Sequence, residues 1–209
     1  MNKDLFKDKS YLNNSIPYIY GLCDYELLVK KSISIERFLD ISKKYNIKLI
    51  QYRDKKNNIN IQKNNIEYIK KNCSIPIIIN DKLELLKYCD GIHLGQEDLR
   101  NISKNIFNNL DYTSVFKILR KKYPDKIVGL STHNELEILD ANEYDLDYIG
   151  LGSYRKTNTK NNVSIIKDNA SYLAKISKHI VCLIGGVRLN DKVKNINYNV
   201  IGSNLLENN

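Results

Sequence analysis

Two stretches of this chain indicate its fold most clearly, Ile78-Ile79-Asn80-Asp81 and Gly91-Ile92-His93-Leu94-Gly95-Gln96-Glu97-Asp98. Each is a short apolar run that stops at a carboxylate, as expected of buried strands in a parallel sheet. An α/β barrel carries its binding residues at the carboxyl ends of such strands. We therefore expect Asp81 and Asp98 to converge from neighbouring strands as two oxygen ligands, a pair that suits Mg2+ and a phosphorylated substrate.

Short apolar runs alternate with amphipathic stretches along the rest of the chain. The pattern predicts strands at residues 17–22, 47–53, 75–80, 91–94, 127–131, 148–151, 180–184 and 199–201. It predicts helices at residues 35–45, 62–71, 81–88, 114–123, 135–142 and 164–177. Eight strands alternating with helices within 209 residues favour a compact (β/α)8 TIM barrel, with a doubly wound open sheet as the main alternative.

No linker, tandem repeat or low-complexity block divides the chain, so we predict one domain over residues 1–209. Residues 1–15 form an N-terminal extension before the first predicted strand. Residues 100–112 are rich in Asn and only weakly periodic, which indicates an inserted loop.

The composition limits the classes of partner. A net charge of +9 is compatible with nucleic-acid binding, but Lys, Asn, Ile and Tyr are abundant along the whole chain and form no basic patch. We therefore expect small phosphorylated ligands and no nucleic acid. The absence of a long apolar run and of a signal-peptide pattern predicts no membrane partner and a cytoplasmic protein. The four scattered cysteines predict neither a disulfide nor a zinc site.

The second predicted strand ends in Gln51-Tyr52-Arg53-Asp54-Lys55. Strand alternation sends Gln51, Arg53 and Lys55 to one face and the other two side chains to the opposite face. One amide and two cations on one face suit a heteroaromatic ring that carries a diphosphate. The alternative is an exposed cluster of ion pairs around Asp54.

Asp81 also has an ordinary interpretation, as the N-cap of a helix over residues 82–88. A second carboxylate, Asp98, at the same level of the next strand favours the metal, because two unpaired carboxylates repel each other unless a cation joins them. We interpret His93 as a packed polar residue and not as a metal ligand.

The later strands end in residues that can bind phosphate. Ser131 either donates to a phosphate oxygen or starts the next helix, and His133 is a possible proton shuttle or a packed helix-start residue. A loop with hydroxyls, an amide and a lysine follows the sixth strand, at Thr157, Asn158, Thr159 and Lys160. Barrels often bind phosphate in the loops after their last two strands, which here contain Gly185-Gly186 and Gly202-Ser203.

These motifs together resemble the family of thiamine phosphate synthases and thiazole tautomerases, in family order from about residue 17 to residue 205. The matching motifs are Gln51-Tyr52-Arg53-Asp54-Lys55, Ile79-Asn80-Asp81, the Gly91 to Asp98 stretch, Gly129-Leu130-Ser131-Thr132-His133, Tyr148-Ile149-Gly150, Thr157-Asn158-Thr159-Lys160 and Ile184-Gly185-Gly186. The resemblance implies a (β/α)8 barrel that joins 4-amino-2-methyl-5-hydroxymethylpyrimidine diphosphate to a thiazole phosphate and releases pyrophosphate.

The resemblance also implies a role for each matching residue. It implies that the pyrimidine diphosphate is held by Gln51, Tyr52, Arg53, Asp54, Lys55, Asn80, Ser131 and Lys160. The thiazole phosphate would be held by Thr157, Asn158, Thr159, Gly186, Gly202 and Ser203, and Mg2+ by Asp81 and Asp98. The catalytic residues that follow are Arg53, Lys55, Lys160 and Ser131, because departure of pyrophosphate from an electron-rich pyrimidine needs charge neutralisation and no side-chain nucleophile.

Three features depart from the family pattern. Ser153-Tyr154-Arg155-Lys156 stands where the family usually has a proline after the glycine that corresponds to Gly152. The connection between Lys55 and Asn80 is short, and the sequence after Ser203 predicts a truncated or missing final helix. We expect part of the barrel wall to be uncovered unless residues 4–14, or the second copy in a homodimer, cover it.

Two other functions stay open at this point. A tautomerase acting on a thiazole phosphate would use His133 as its acid–base residue, but retention of Asp81, Asp98 and Lys160 favours the synthase. A non-catalytic paralogue that binds thiamine precursors is suggested by the altered loop at residues 153–156 and by the short C-terminal end.

Overall fold

Eight parallel strands close into a barrel in chain order in the computed structural model, which describes Phe6 and residues 16–156 and 164–207. The strands are β1 (Tyr18–Asp24), β2 (Leu49–Arg53), β3 (Ile77–Asn80), β4 (Gly91–Leu94), β5 (Ile127–Thr132), β6 (Tyr148–Leu151), β7 (Ile180–Leu183) and β8 (Tyr198–Ile201). The barrel closes where β1 pairs in parallel with β8. The predicted TIM barrel is confirmed, and the open sheet is excluded.

Helices connect most of these strands on the outside of the barrel. They are α1 (Tyr25–Lys30), α2 (Ile35–Lys44), α3 (Ile59–Asn72), α4 (Gln96–Asn105), α5 (Tyr112–Lys122), α6 (Glu135–Ala141), α7 (Ala170–Ile176) and α8 (Ser203–Leu206). Five of these helices begin after a residue whose side-chain oxygen accepts a free backbone N–H of the first turn. These capping residues are Asp24, Ser34, Asn58, Asp111 and Asn134. None of the helices in the described part of the chain is long and apolar enough to cross a membrane.

Two predicted helices take a different form. Residues 81–88 contain a 3-10 helix, Leu83–Tyr88, because the chain must return to β4 within a few residues. The helix predicted at 164–177 is shortened to α7, preceded by a 3-10 turn at Lys167–Asn169. The N–H of Ile166 donates to the carbonyl of Ser153, so the start of this segment is bound to the loop after β6.

The prediction of an inserted loop at residues 100–112 is wrong for its first half. Residues 100–105 belong to α4, and α5 begins at Tyr112, which leaves a short turn containing Asn108 and Asn109 at positive φ. Leu99 and Ile102 of α4 are buried in the core. Their packing outweighs the weak helix propensity of the Asn-rich sequence.

Alternation along the strands separates two apolar layers. One layer lies between the sheet and the helices, and the other fills the barrel interior with Tyr20, Leu49, Ile78, Ile127, Tyr148, Ile180, Cys182, Tyr198 and Val200. Phe6 joins the interior layer and stacks on Tyr148 and Tyr198, at centroid distances of 5.1 and 5.6 Å. These tyrosines begin β6 and β8, so Phe6 closes the amino-terminal end of the barrel.

The outer face of the last two strands is covered in a way that the sequence did not predict. The connection between β7 and β8, residues 184–197, is described throughout and contains no helix. Val187 and Ile196 of this connection are buried against the sheet. α8 is a single turn, with Leu205 and Leu206 buried in the same layer. Of residues 4–14, only Phe6 is described, and it packs inside the barrel.

Candidate active site

The end of β2 presents two faces with different surroundings. Leu49 lies in the barrel interior, so Gln51 and Arg53 share that face. Gln51 is buried, and its Nε2 lies 3.4 Å from the Tyr20 hydroxyl. Lys55, beyond the strand, is exposed. The predicted clamp of an amide and two cations is therefore at the carboxyl end of the barrel.

Tyr52 and Asp54 are on the opposite face, and the prediction that they hold substrate is corrected. The Tyr52 hydroxyl donates to Asp54 Oδ2 at 3.0 Å and accepts from Asn65 Nδ2 at 2.9 Å, within the layer between sheet and helices. Asp54 also accepts from the backbone N–H groups of Lys56 and Asn57, both at 3.0 Å. Both residues stabilise the turn between β2 and α3 and do not face the barrel interior.

Asp54 is held in its charged form by this turn. Burial alone would raise the pKa of its carboxyl, but the hydrogen bonds from Asn57, Lys56 and Tyr52 together bring that pKa below its usual value. The predicted alternative, an exposed cluster of ion pairs around Asp54, is also wrong, because Asp54 is buried and bonded to uncharged donors.

Arg53 has a partner that sequence reasoning missed. Its Nη1 forms a close ion pair with Oδ2 of Asp24, a residue that is buried at the end of β1. Asp24 lies opposite Arg53 in the register of the two strands and caps α1 by accepting from Leu27 N–H at 3.1 Å. The signal in the sequence was an acid ending the first apolar run, as at Asp81.

Asp81 and Asp98 meet as predicted, although not from two strands. Asp81 follows β3 at φ +64°, and its Oδ1 accepts from Gly95 N–H at 3.1 Å. Asp98 is not on a strand but in the first turn of α4, where it lines the same cleft as Asp81. Lys82, not Asp81, occupies the N-cap position of the following 3-10 helix, so the N-cap interpretation of Asp81 is wrong.

The pKa of Asp81 reflects the carboxylate that lies beside it. Burial, followed by the charge of Asp98, raises the pKa of Asp81 from an ordinary 3.8 to about 6. Lys55 lowers it only slightly in comparison. Asn80 donates to the same carboxylate through a close contact of its Nδ2 with Oδ2. A carboxyl whose pKa is raised by an adjacent carboxylate has the character of a cation site.

The donor set fits a hard cation. Asp81 and Asp98 face a cleft of about 210 Å3 whose other walls are Asn101, Ile102, Asn105 and Ile106. Within the described ranges, no third His, Cys, Asp or Glu joins the pair. Two carboxylates with room for water and substrate oxygens suit Mg2+, which keeps several waters, and do not suit a structural zinc site.

A chain of hydrogen bonds crosses the barrel interior beneath these groups. His93 Nε2 lies 2.9 Å from Ser131 Oγ, and His93 Nδ1 lies 3.1 Å from the Tyr148 hydroxyl. The Tyr148 hydroxyl lies 3.0 Å from that of Tyr20, which contacts Gln51. His93 is therefore a buried, packed polar residue, as its sequence context predicted. Ser131 is partly exposed at the open end of this chain.

His133 is already engaged at the start of α6. Its Nδ1 lies 2.8 Å from Glu137 Oε2, and the same oxygen accepts its backbone N–H at 2.9 Å. Asn134, and not Ser131 or His133, caps the helix. The helix-start interpretation of His133 is confirmed.

The loop after β6 is bound tightly to the loop after β7. Arg155 donates to both carboxylate oxygens of Asp191, at 2.5 and 2.8 Å, and to the carbonyl of Gly186 at 2.9 Å. Gly185 and Gly186 adopt φ angles of +91° and +66°. A Cβ on Gly185 would lie 2.1 Å from Ser153 Oγ, so glycine is required there. Residues 153–156, which differ from the family pattern, thus connect the loop after β6 to the loop after β7.

The structure describes only some of the other residues that were predicted to bind phosphate. Thr157, Asn158, Thr159 and Lys160 lie outside the described residues. Gly202 follows β8 as the N-cap of α8, and Ser203 is the exposed first residue of that helix. The structure thus brings Gln51, Arg53, Asn80, Asp81, Asp98 and Ser131 to the carboxyl end of the barrel, with Gly186, Gly202 and Ser203 in the loops that follow β7 and β8.

Comparison with known proteins agrees with this geometry. The family model described as "Thiamine monophosphate synthase" matches residues 22–203. A thiamine-phosphate synthase of Lawsonia intracellularis is 31% identical over 180 residues, which cover 81% of this chain and 74% of that protein. One from Clostridium botulinum strain Eklund 17B is 30% identical over 196 residues, 89% of this chain and 83% of that protein.

A solved structure supports the fold. Thiamine phosphate pyrophosphorylase from Pyrococcus furiosus superposes with a TM-score of 0.64 at 18% identity, over 89% of this chain and 85% of that one. The synthase function and the transferase class predicted from the sequence are confirmed at the level of the family. The chain belongs to the thiamine monophosphate synthase family.

Proposed function

We propose that this chain is a working thiamine-phosphate synthase that needs Mg2+. It would join 4-amino-2-methyl-5-hydroxymethylpyrimidine diphosphate to a thiazole phosphate, with release of pyrophosphate. The observation that carries the proposal is the carboxylate pair of Asp81 and Asp98 at the carboxyl end of a barrel of this family. A synthase has a use for an unneutralised acid pair beside a diphosphate site, whereas isomerisation of a thiazole has none.

The residues on the interior face of β2 and β3 would hold the diphosphate. Gln51, Arg53 and Asn80 line the carboxyl end of the barrel, and Lys55 lies close enough to Asp81 to lower its pKa. Asp24 fixes the orientation of the Arg53 guanidinium. Asp81 and Asp98 would hold Mg2+, which when bound supplies positive charge to the leaving diphosphate.

The thiazole phosphate would bind at the loops after β7 and β8, near Gly186, Gly202 and Ser203. Four further residues remain part of this proposal only because they match the family motif. They are Thr157, Asn158, Thr159 and Lys160. The left-handed backbone at Gly185 and Gly186 lets this loop turn sharply beside Ser153 and Arg155.

The chain's own residues would act by charge and position. Arg53, Lys55 and Lys160 would neutralise the departing pyrophosphate, and Ser131 would donate a hydrogen bond to it. The C–O bond to the diphosphate would break first, and its electron pair would leave with pyrophosphate. The thiazole nitrogen would then donate its lone pair to the remaining pyrimidine cation and form the new C–N bond. The barrel aligns the two rings, so no side-chain nucleophile is needed.

We further propose a cytoplasmic protein with small-molecule substrates and without nucleic-acid or membrane partners. All four cysteines are free thiols, and Cys23, Cys89 and Cys182 are buried, which suits a reducing compartment. A homodimer is also proposed, and size-exclusion chromatography with light scattering tests it.

A coupling assay with variants tests the proposed function. Purified protein is incubated with both substrates at several Mg2+ concentrations, and thiamine phosphate is quantified for wild type, Asp81→Asn and Asp98→Asn. Each variant is expected to lose at least about 100-fold in rate, since loss of a charged partner at a reacting phosphate removes about 3 kcal/mol.

Glu97→Gln is the matched control, because Glu97 is an exposed carboxylate in the same turn as Asp98. It is expected to keep the wild-type rate. Full coupling activity in Asp81→Asn would show that the metal assignment is wrong. Absence of product from wild type, with measurable binding of either substrate, would instead favour the non-catalytic paralogue.

A further inference from the structure

Gln96 is the first residue of α4 and lies between the end of β4 and Asp98. Its partly buried side chain reaches across to β5, where Nε2 donates to the backbone carbonyl of Ser131 at 2.6 Å. A carbonyl oxygen only accepts hydrogen bonds, so the amide must present its nitrogen there and not its oxygen. This contact joins the helix that carries Asp98 to the strand that carries Ser131.

The Ser131 carbonyl lies just beyond the pairing between β4 and β5. In the register of these strands, β4 ends opposite Leu130, so Ser131 extends one residue past that end. The carbonyl of Thr132 accepts the N–H of Gly152 at 3.1 Å, on the side of β6. Successive carbonyls of a strand point to opposite edges, so that of Ser131 faces the β4 side. Gln96 supplies the donor that β4 no longer provides there.

Two further contacts hold the start of α4. The N–H of Gly95, the N-cap, donates to Asp81 Oδ1 at 3.1 Å. Leu99 is buried in the core, and its N–H donates to the Gly95 carbonyl at 2.9 Å. These contacts fix the helix start toward β3 and toward the core, whereas Gln96 fixes it toward β5. Since Asp98 belongs to the same turn, attachments from three directions set the position of its carboxylate.

The position of this turn decides how closely the two carboxylates approach each other. A Cβ on Gly95 would lie 2.8 Å from Asp98 Oδ2 and 3.8 Å from Asp81 Oδ1, so both carboxylates stand beside the same backbone atom. The Gly95 backbone is extended, with φ −78° and ψ 164°, which suits any residue. Glycine is therefore needed for the space beside Asp98 and not for its backbone conformation.

We propose that Gln96 is a positioning residue for the cation, because its amide sets the spacing between the Asp98 carboxylate and the Ser131 main chain. Under the proposed function, on which this inference rests, Asp98 binds Mg2+ and Ser131 binds the diphosphate. Gln96 then keeps the metal ligand and the diphosphate donor in one fixed geometry. Hydrogen-bonded partners behind the ligands have this effect at metal sites in general.

Mn2+ binding to the substrate-free protein, followed by electron paramagnetic resonance, tests this role. Mn2+ accepts the same oxygen ligands as Mg2+. Gln96→Met keeps an unbranched, helix-compatible side chain but removes the donor. It is expected to weaken Mn2+ binding by about 10- to 100-fold, the usual effect of losing a partner behind a ligand. Lys104→Met, at an exposed position in the last turn of α4, is the matched control and should bind Mn2+ like wild type.

Gln96→Asn is the second variant, for the case that Gln96→Met does not fold. Its amide is one methylene too short to reach the Ser131 carbonyl, so it should weaken Mn2+ binding in the same way. Wild-type Mn2+ affinity in either folded variant would overturn the inference while leaving the proposed function intact. Failure of wild type to bind Mn2+ would overturn the metal assignment of the proposed function and this inference with it, so the two failures are distinguishable.

The Mg2+ dependence of coupling separates positioning from a merely structural role. For Gln96→Met, the Mg2+ concentration at half-maximal rate is expected to rise about 10-fold, with much of the rate restored at saturating Mg2+. Ser131→Ala keeps the carbonyl that Gln96 contacts, so it should keep the wild-type Mn2+ affinity but lose rate at every Mg2+ concentration. A lower rate in Gln96→Met with unchanged Mg2+ dependence would show that Gln96 supports only the fold.

Discussion

At the scale of single residues, the charge on Asp81 is expected to destabilise the metal-free protein. Burial and then the charge of Asp98 raise the pKa of Asp81 to about 6 in the folded chain. Between about pH 4 and pH 6 the folded chain keeps a proton that the unfolded chain has released, so the free energy of unfolding falls as pH rises and remains lower above pH 6. Asp81→Asn should therefore raise the free energy of unfolding at neutral pH by about 1–3 kcal/mol.

Urea unfolding in EDTA at several pH values measures this effect. The matched control, Glu97→Gln, removes an exposed carboxylate of the same helical turn and should follow the wild-type profile. Adding Mg2+ is expected to stabilise wild type and to leave Asp81→Asn unchanged, because a ligand stabilises only the state that binds it. Identical pH profiles for wild type and Asp81→Asn would contradict the description of this pair.

Gly129 is expected to tolerate no side chain. A Cβ there would lie 2.2–2.6 Å from the fully buried Tyr148 ring. Gly129→Ala should lower the free energy of unfolding by about 1–3 kcal/mol or more, the usual cost of overpacking a core. Gly202→Ala is the control for stability, because its Cβ would make only ordinary contacts, the nearest at 3.4 Å. Thermal unfolding compares the two, and equal melting temperatures would contradict the packing.

At the scale of elements, the loops after β6 and β7 are expected to depend on each other through Arg155 and Asp191. The paired guanidinium, together with the N–H of Arg188, lowers the pKa of Asp191. A lowered carboxyl pKa adds stability at neutral pH that is lost as pH falls below its ordinary value. Arg155→Gln and Asp191→Asn should each raise KM for the thiazole phosphate more than KM for the pyrimidine diphosphate.

A double-mutant cycle on thermal stability isolates this ion pair. A coupling free energy of about 0.5–2 kcal/mol is expected, since the pair is bidentate but partly exposed. Lys178 and Glu143 form an exposed pair elsewhere and serve as the control, with a coupling near zero. Strictly additive effects of Arg155→Gln and Asp191→Asn would show that the two loops are not joined by this contact.

The sequence was sufficient for the strands, because apolar runs that end in polar residues are a strong local signal. It was not sufficient to place Asp98 in a helix. Gly95, the N-cap of α4, has no capping side chain that would mark the helix start. Strand alternation placed Tyr52 and Asp54 on the opposite face of β2, but it could not reveal their hydrogen bonds to Asn65 and Asn57, which depend on tertiary packing. The contact between Tyr20 and Tyr148 joins residues 128 positions apart, which no local pattern reveals.

At the scale of the whole molecule, the barrel is expected to depend on Phe6 for stability and not for chemistry. Phe6 packs between Tyr148 and Tyr198 at the amino-terminal end, far from the carboxylate pair. Phe6→Ala should lower the free energy of unfolding by about 3–5 kcal/mol, because the cavity left in the barrel interior cannot collapse fully. The coupling rate at a temperature where the variant is folded should stay near that of wild type.

Ile16→Ala provides the matched control for Phe6→Ala. Ile16 is 60% exposed, so its truncation should change the free energy of unfolding by less than about 0.5 kcal/mol. Chemical denaturation of both variants measures the difference. Equal stability of Phe6→Ala and wild type would show that the amino-terminal end of the barrel does not need this side chain.

The whole barrel is expected to join two phosphorylated rings only when Mg2+ is bound at the cleft of Asp81 and Asp98. The most direct measurement is the amount of thiamine phosphate and of pyrophosphate formed from the two substrates by wild-type protein, with Mg2+ and with EDTA. We expect both products in equal amounts, formed only when Mg2+ is present. Equal product formation in EDTA, or no product at any Mg2+ concentration, would contradict the claim.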